Sequence, residues 1–258
     1  MSADVGGGAP AVRARGVGVS YAETRALQDV HLEISPGRVY GLVGMNGSGK
    51  STLFKALMGL VPTETGKIEL FGESPARARR ALRIAYAPQN EEVDWDFPLS
   101  VADVVMMGRY GHMGWRRRAR REDWSAVGAA LARCELTELA QRQIGALSGG
   151  QRKRAFLARG LAQGAELLLL DEPFAGVDKR SEATITALLR ELAEEGRTVL
   201  VSTHDLVAIP ALCDEVALIN RRIIAQGPPQ ETLVPELLAE AFGGFVPREA
   251  LGLEGAAA

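Results

Sequence analysis

Val39 to Val43 (VYGLV) is a short apolar run of the kind that makes a strand buried on both faces. It enters a glycine-rich loop, and an apolar-periodic segment from Lys50 to about Leu60 then predicts a helix. Leu167 to Leu170 and Thr198 to Ser202 (TVLVS) predict two further buried strands. Between these two, Ile185, Leu188, Leu189 and Leu192 recur at i, i+3, i+4 and i+7, the stripe of an amphipathic helix, with Gly196 as its stop. Strands alternating with helices predict an α/β fold with a mostly parallel sheet covered on both faces. The start of the chain and Gly66 to Phe71 (GKIELF) break that alternation and read as short antiparallel strands. The stretch from about residue 90 to 160 is charged and helical in pattern. It lies between motifs of the sheet core, so it is expected to be an inserted helical subdomain. Residues 1–10 read as a loose leader, 11–227 as the folded domain, and 228–258 as a short tail of one or two helices with a frayed end.

Composition narrows the setting. Of 258 residues, 47% are hydrophobic, enough for a packed core. The formal net charge of −2 supplies no bulk basic field, so nucleic acid is not expected as a partner. Cys134 and Cys213 form neither a CxxC nor a Cys/His cluster, which favours two buried thiols in a reducing cytosol over a disulfide or zinc framework. No apolar stretch approaches the ~20 residues a membrane helix needs, and the N-terminus lacks a basic segment followed by an apolar one. Any membrane role is therefore expected to come through a partner.

The chemistry starts where the first strand ends. Gly44-Met45-Asn46-Gly47-Ser48-Gly49-Lys50-Ser51 matches GxxxxGK[ST] between a strand and a helix, and Thr52 follows it. The glycines let several backbone N–H groups converge on one phosphate, and the helix N-terminus adds positive field there. Lys50 would neutralise the β and γ phosphates of a nucleotide, and the Ser51 hydroxyl would ligate Mg²⁺. The leucine run 167–170 ends in Asp171-Glu172, which puts carboxylates at the sheet edge where open α/β folds bind ligands. Asp171 is expected to hold Mg²⁺ from outside its inner shell, and Glu172 to act as general base on a water. Ser148-Gly149-Gly150-Gln151 precedes a helical stretch and would make a second anion-binding end. Alone it reads equally well as an N-cap serine. Two such ends serving one nucleotide in one monomer is odd; a symmetric dimer, each Ser148 turn facing the other copy's phosphate loop, resolves it.

GMNGSGKS, LSGGQ, LLLLDEP and STHD, in that order, resemble the ATP-binding cassette ATPase family from about Val12 to Gly227. The resemblance implies a P-loop NTPase (RecA-like) core, a small antiparallel β subdomain and the helical insertion, with ATP and Mg²⁺ as ligands. It also implies roles for single residues. Tyr21 matches an aromatic that stacks on adenine; the bland reading is a half-buried core tyrosine. Gln89 matches a glutamine that contacts Mg²⁺ or the attacking water and senses the membrane partner. Asp178 matches a loop that crosses the dimer interface; otherwise it is a helix N-cap. His204 matches a histidine on the γ-phosphate; a strand-end histidine is otherwise structural.

One phosphate loop, no fused span and no long heptad insertion point to a stand-alone transporter subunit. The stretch from Pro88 to His112, Gly114-Trp115 with its basic run, and Phe174 to Asp178 are similar to cassettes of manganese, iron or zinc importers. That group implies a homodimer at the cytoplasmic face of the membrane, integral-membrane permease subunits and, indirectly, a metal-binding solute receptor. Trp95, Phe97, Val104 and Met107 would then line a groove for a permease helix, or simply pack the helical subdomain. Another cargo (siderophore, lipid, or a split exporter) is the rival within the class. A regulatory module that holds ATP without turnover is the rival outside it, and Glu172 argues against that one.

Overall fold

In the computed structural model, which describes residues 9–89 and 98–244, the apolar runs form the centre of a sheet. The leader residues 1–8, the end of the chain from 245, and the groove residues Trp95 and Phe97 lie outside the described residues. The elements in order are β1 (Val12–Tyr21), β2 (Thr24–Ile34), β3 (Val39–Val43), α1 (Lys50–Leu57), β4 (Thr65–Leu70), α2 (Pro75–Arg80), β5 (Ile84–Ala87), α3 (Val101–Met107), α4 (Arg121–Arg133) and α5 (Gly149–Gln163). They continue with β6 (Leu167–Asp171), α6 (Lys179–Glu194), β7 (Thr198–Thr203), α7 (Ile209–Leu212), β8 (Glu215–Asn220), β9 (Arg222–Gly227), α8 (Pro229–Thr232) and α9 (Pro235–Ala241).

Among the described residues the strands make two sheets. One has the order β5-β6-β7-β3-β8-β9, parallel except for the β8–β9 hairpin at its edge. The other is antiparallel, β2-β1-β4. Side chains alternate across a strand, so successive residues of β3, β6 and β7 go to opposite faces. Val39, Val43, Leu168, Leu170, Val199 and Val201 join a core with α3 to α6 and α9. Tyr40, Leu42, Leu167, Leu169 and Leu200 join a second core with α1 and the antiparallel sheet. Both faces are dry, which is why these strands read as unbroken apolar runs. Each fully buried aliphatic side chain stabilises the fold by about 1.5–3 kcal/mol.

The expected stripe on α6, Ile185, Leu188, Leu189 and Leu192, is buried. The helix starts at the Asp178 cap and stops at Gly196, whose φ of 88° lets Arg197 N–H return to the Leu192 carbonyl. Helices α3, α4 and α5 pack on one another, and Phe156 and Leu157 of α5 also face the sheet, so the helical region shares the sheet's core. Asp123, 2% exposed, accepts from Arg109 Nε at 3.0 Å, while Arg109 Nη1 donates to the Ala162 carbonyl at 3.0 Å. That pair ties α4 and the end of α3 to α5. Val104 is 2% exposed and belongs to this core, so it lines no groove. Its position on the inward face of a helix flanked by α4 and α5 decides that. Both cysteines are buried, and burial pushes each thiol up to about 12. Leu238 and Ala241 of α9 are fully buried beside β8.

Candidate functional site

The sheet register brings three strand ends together. Val43 lies level with Thr203, and Asp171 with Ser202, so the phosphate-loop strand, the acidic strand and the His204 strand finish on one edge. A cleft of about 270 Å³ opens there. Asn46, Gly47, Gly49, Lys50, Ser51, Thr52, Gln89 and Glu172, all expected site residues, line it together with Ala26.

The loop is shaped by its backbone. Gly49 caps α1 with φ 104°, and a Cβ there would lie 2.8 Å from both the Ala26 carbonyl and Leu27 Cδ2, so only glycine fits. Gly44 follows β3 directly, and Lys50 Nζ donates to its carbonyl at 2.7 Å and to that of Met45 at 3.0 Å. An ammonium has three protons, so one remains for a phosphate oxygen. Burial pulls the Lys50 ammonium below the ordinary lysine range, and the Glu172 and Asp171 carboxylates work against that shift. From outside the motif, Arg221 at the β8–β9 turn donates its N–H to the Ser48 carbonyl at 2.7 Å and accepts from Gln28 N–H at 2.7 Å.

Asp171 is buried, with Oδ1 receiving the Ser202 hydroxyl at 2.5 Å and Oδ2 the Tyr86 hydroxyl at 3.4 Å. Glu172 has φ 48°, an uncommon left-handed conformation for a side-chain-bearing residue. Its N–H is held by the Ser202 hydroxyl at 3.0 Å, and the turn delivers its carboxylate into the cleft. There Gln89 Nε2 donates to Oε2 at 2.6 Å, and His204 Nδ1 stands 3.4 Å from Oε1. The Gln89 carbonyl in turn accepts from Lys153 of α5 at 2.8 Å.

Ser148, Gly149, Gly150, Gln151 and Asp178 are not among the described lining of this cleft. They form a second cluster. Ser148 caps α5 in a reciprocal box: its hydroxyl accepts from Gln151 N–H at 3.3 Å while Gln151 Oε1 accepts from Ser148 N–H at 3.0 Å. Gly150 is pressed on α6, where a Cβ would lie 2.6 Å from Ser181 Oγ and 3.0 Å from Asp178 Oδ2. Asp178 caps α6 through Ser181, whose backbone N–H lowers the Asp178 carboxyl below the usual range. Both bland readings, a serine cap and an aspartate cap, are therefore present in the monomer. Ser148 and Gly149 are nonetheless exposed. Tyr21 is 46% exposed at the end of β1, and it too is outside the cleft's described lining.

Ser202, Tyr86, Lys153 and Arg221 had no expected role. Ser202 lies inside STHD, but nothing there marks its partner, and the others carry no local signal, since only the fold brings them to the loop.

The site fits a polyphosphate and a hard cation. Among the described residues, Ser48 Oγ is buried in the loop without a hydrogen-bond partner, an orphan that an incoming acceptor or donor would satisfy. A serine hydroxyl at Ser51 and the carboxylate of Asp171 are oxygen donors of the kind Mg²⁺ prefers.

The ABC transporter family model matches residues 27–175. The chain is 51% identical over 221 residues to the chelated iron transport system membrane protein YfeB of Yersinia pestis, covering 86% of this chain and 75% of that protein. It is 50% identical over 231 residues to the manganese transport system ATP-binding protein MntA of Synechocystis sp., covering 89% of each. Among solved structures, a chain of an ABC transporter assigned to the metal-chelate type, in an inward-facing conformation, superposes with a TM-score of 0.80 at 30% identity, over 91% of this chain and 89% of that one.

Proposed function

This chain belongs to the ABC transporter family as an ATP-binding, ATP-hydrolysing subunit, and on that premise we propose that it powers the import of manganese, iron or zinc by closing as a homodimer around Mg²⁺–ATP. The observation that carries the catalytic part is the Glu172 carboxylate, held between Gln89 Nε2 at 2.6 Å and His204 Nδ1 at 3.4 Å at the mouth of the phosphate loop. A carboxylate fixed on both oxygens beside a phosphate cradle suits a base that takes a proton from water.

Lys50 and the loop N–H groups hold the β and γ phosphates, and His204 turns its exposed ring to the γ-phosphate. Gln89 orients both the water and the base. When bound, Mg²⁺ would neutralise charge on the phosphate oxygens, held by Ser51 and, from further out, by Asp171 and Gln89. Tyr21 would stack on the adenine from the β1–β2 turn. The second copy's Ser148, Gly149, Gly150 and Gln151 would seal the γ-phosphate, with Asp178 beside them at the boundary. The exposure of Ser148 and Gly149 and their standing outside the cleft's described lining support a role across a dimer.

The subunit's partner is a membrane permease, since its relatives are components of transport systems. Among the described residues no helix is long and apolar enough to cross a membrane. We place the permease's cytoplasmic segment in a groove of about 260 Å³ lined by Pro98, Leu99, Ala102, Trp124 and Gln143. Trp124, 52% exposed, would be its anchor. The chain would then sit at the cytoplasmic face, with a metal-binding receptor on the far side. The metal cargo rests on the names of the relatives.

Glu172→Gln should bind Mg²⁺–ATP, lose turnover by about 10²–10⁴ and accumulate dimers in light scattering. Turnover like that of the parent would remove the base assignment. Trp124→Glu should keep basal ATPase and abolish uptake of radiolabelled manganese, iron and zinc in cells carrying the whole transporter. Retained uptake would move the docking site elsewhere, and no Glu172-dependent uptake of any of the three would end the metal reading.

A further inference from the structure

The connection between α3 and α4 carries a surface that neither the nucleotide cleft nor the permease groove uses. Trp115 is 88% exposed, the most exposed large apolar side chain among the described residues. Arg116, Arg117, Arg118, Arg120 and Arg121 follow it, all exposed. The Arg116 guanidinium lies 5.1 Å over the Trp115 ring, and that of Arg117 lies 5.7 Å over Tyr110, itself 41% exposed. Two acids border the run. Asp123 is buried against Arg109, and Glu122 reaches Arg120 at 3.5 Å. The stretch from Trp115 to Arg121 itself contains five arginines and no carboxylate, in a chain whose formal net charge is −2. Positive charge is thus gathered at one tip of an otherwise acidic molecule.

The tip stands on a rigid stem. Arg109 at the start of the connection is bonded to Asp123 at the start of α4 and to the Ala162 carbonyl of α5, and His112 Nε2 meets the Gln163 carbonyl at 2.8 Å. An exposed tryptophan held out among arginines is costly in water and suits a boundary between water and lipid. Indole rings favour the headgroup level, and guanidinium groups pair with phosphate oxygens in a planar, two-bond geometry. An acidic leaflet attracts each such charge.

We propose that the Trp115–Arg121 tip is a contact for anionic phospholipid headgroups, which orients the subunit against the inner leaflet independently of its permease. A subunit of a membrane transport system works within reach of that surface, and the charge of the tip is complementary to it. The inference does not depend on the transported cargo or on the assignment of Glu172.

The test is co-sedimentation of the full chain with phosphatidylcholine vesicles, with and without about one third phosphatidylglycerol. The chain should pellet with the anionic vesicles and not with the neutral ones, and added salt should weaken binding. Each arginine is expected to contribute roughly fivefold, so Arg116→Gln/Arg117→Gln/Arg118→Gln together should lower affinity on the order of a hundredfold. Trp115→Ala should lower it by roughly tenfold. Both variants should keep basal ATPase and thermal midpoint, because these side chains lie outside the cleft and the cores. Tryptophan emission should move to the blue on anionic vesicles, and Trp115→Phe should abolish that move. Equal binding to neutral vesicles, unchanged binding by both variants, or tighter Arg-dependent binding to a single-stranded oligonucleotide than to anionic vesicles would each overturn the proposal.

Discussion

Ser202 shows how a single side chain can govern a site without touching a ligand. Its hydroxyl donates to Asp171 Oδ1 and accepts from Glu172 N–H, so one fully buried oxygen sets the position of both acidic residues. Removing it would leave Asp171 without its nearest donor and leave the Glu172 N–H on the Ser202 backbone carbonyl alone, at 3.2 Å. Ser202→Ala should lower kcat by about 10–100-fold, the usual range for residues that orient catalytic groups, while the KM for ATP changes little. A mutant with normal kcat and a raised KM would show that Ser202 serves binding instead. Such residues escape sequence reading for a physical reason. Asp171 and Glu172 are marked by the leucines before them, and Lys50 by the glycines before it, whereas a serine at the end of an apolar strand carries no mark of the partner that the sheet register will bring opposite.

At the scale of elements, the period of the apolar positions was legible wherever one environment covered a whole strand or helix face. The β3, β6 and β7 strands and the α6 stripe stand where the pattern puts them. Val104 left two readings open, a groove wall and packing of the helical subdomain, and the structure has the second. Its helix has only seven residues, too short for periodicity to separate an inward face from a docking face, and packing between α4 and α5 buried it. The α5 terminus poses a sharper question, because Ser148 is both a helix cap and the proposed contact for a neighbour's phosphate. The two roles separate by substitution. Asparagine caps about as well as serine, whereas alanine costs about 1 kcal/mol. Ser148→Asn should therefore keep the thermal midpoint of the parent and still lose ATP turnover, and Ser148→Ala should lose both. If Ser148→Asn hydrolyses ATP at the parent rate, the residue is a cap alone.

The whole molecule is braced by a charge pair outside the cleft's described lining. The Asp123 carboxyl is held below the usual carboxylate range, first by the Arg120 backbone N–H and then by the Arg109 guanidinium, against the opposing effect of burial. A carboxyl depressed in the folded state adds stability at pH values above its unfolded value of about 3.9, and that contribution is lost as pH falls through the folded value. Asp123→Asn should destabilise the chain by roughly 1–3 kcal/mol at neutral pH, since Arg109, still bonded to the Ala162 carbonyl, would lose a charge-assisted bond. The difference from the parent should shrink in thermal melts as the pH is taken down from the unfolded value of about 3.9. A pH-independent difference would mean that Asp123 acts through packing rather than charge.

Helix α9 carries the packed core past Gly227. Leu238 and Ala241 are fully buried beside β8, Glu240 Oε1 accepts from Arg222 Nη2 at 3.0 Å, and β8 is the direct neighbour of the strand that leads into the phosphate loop. Shortening the chain at Gly227 would thus strip the lid from a strand bordering the nucleotide site.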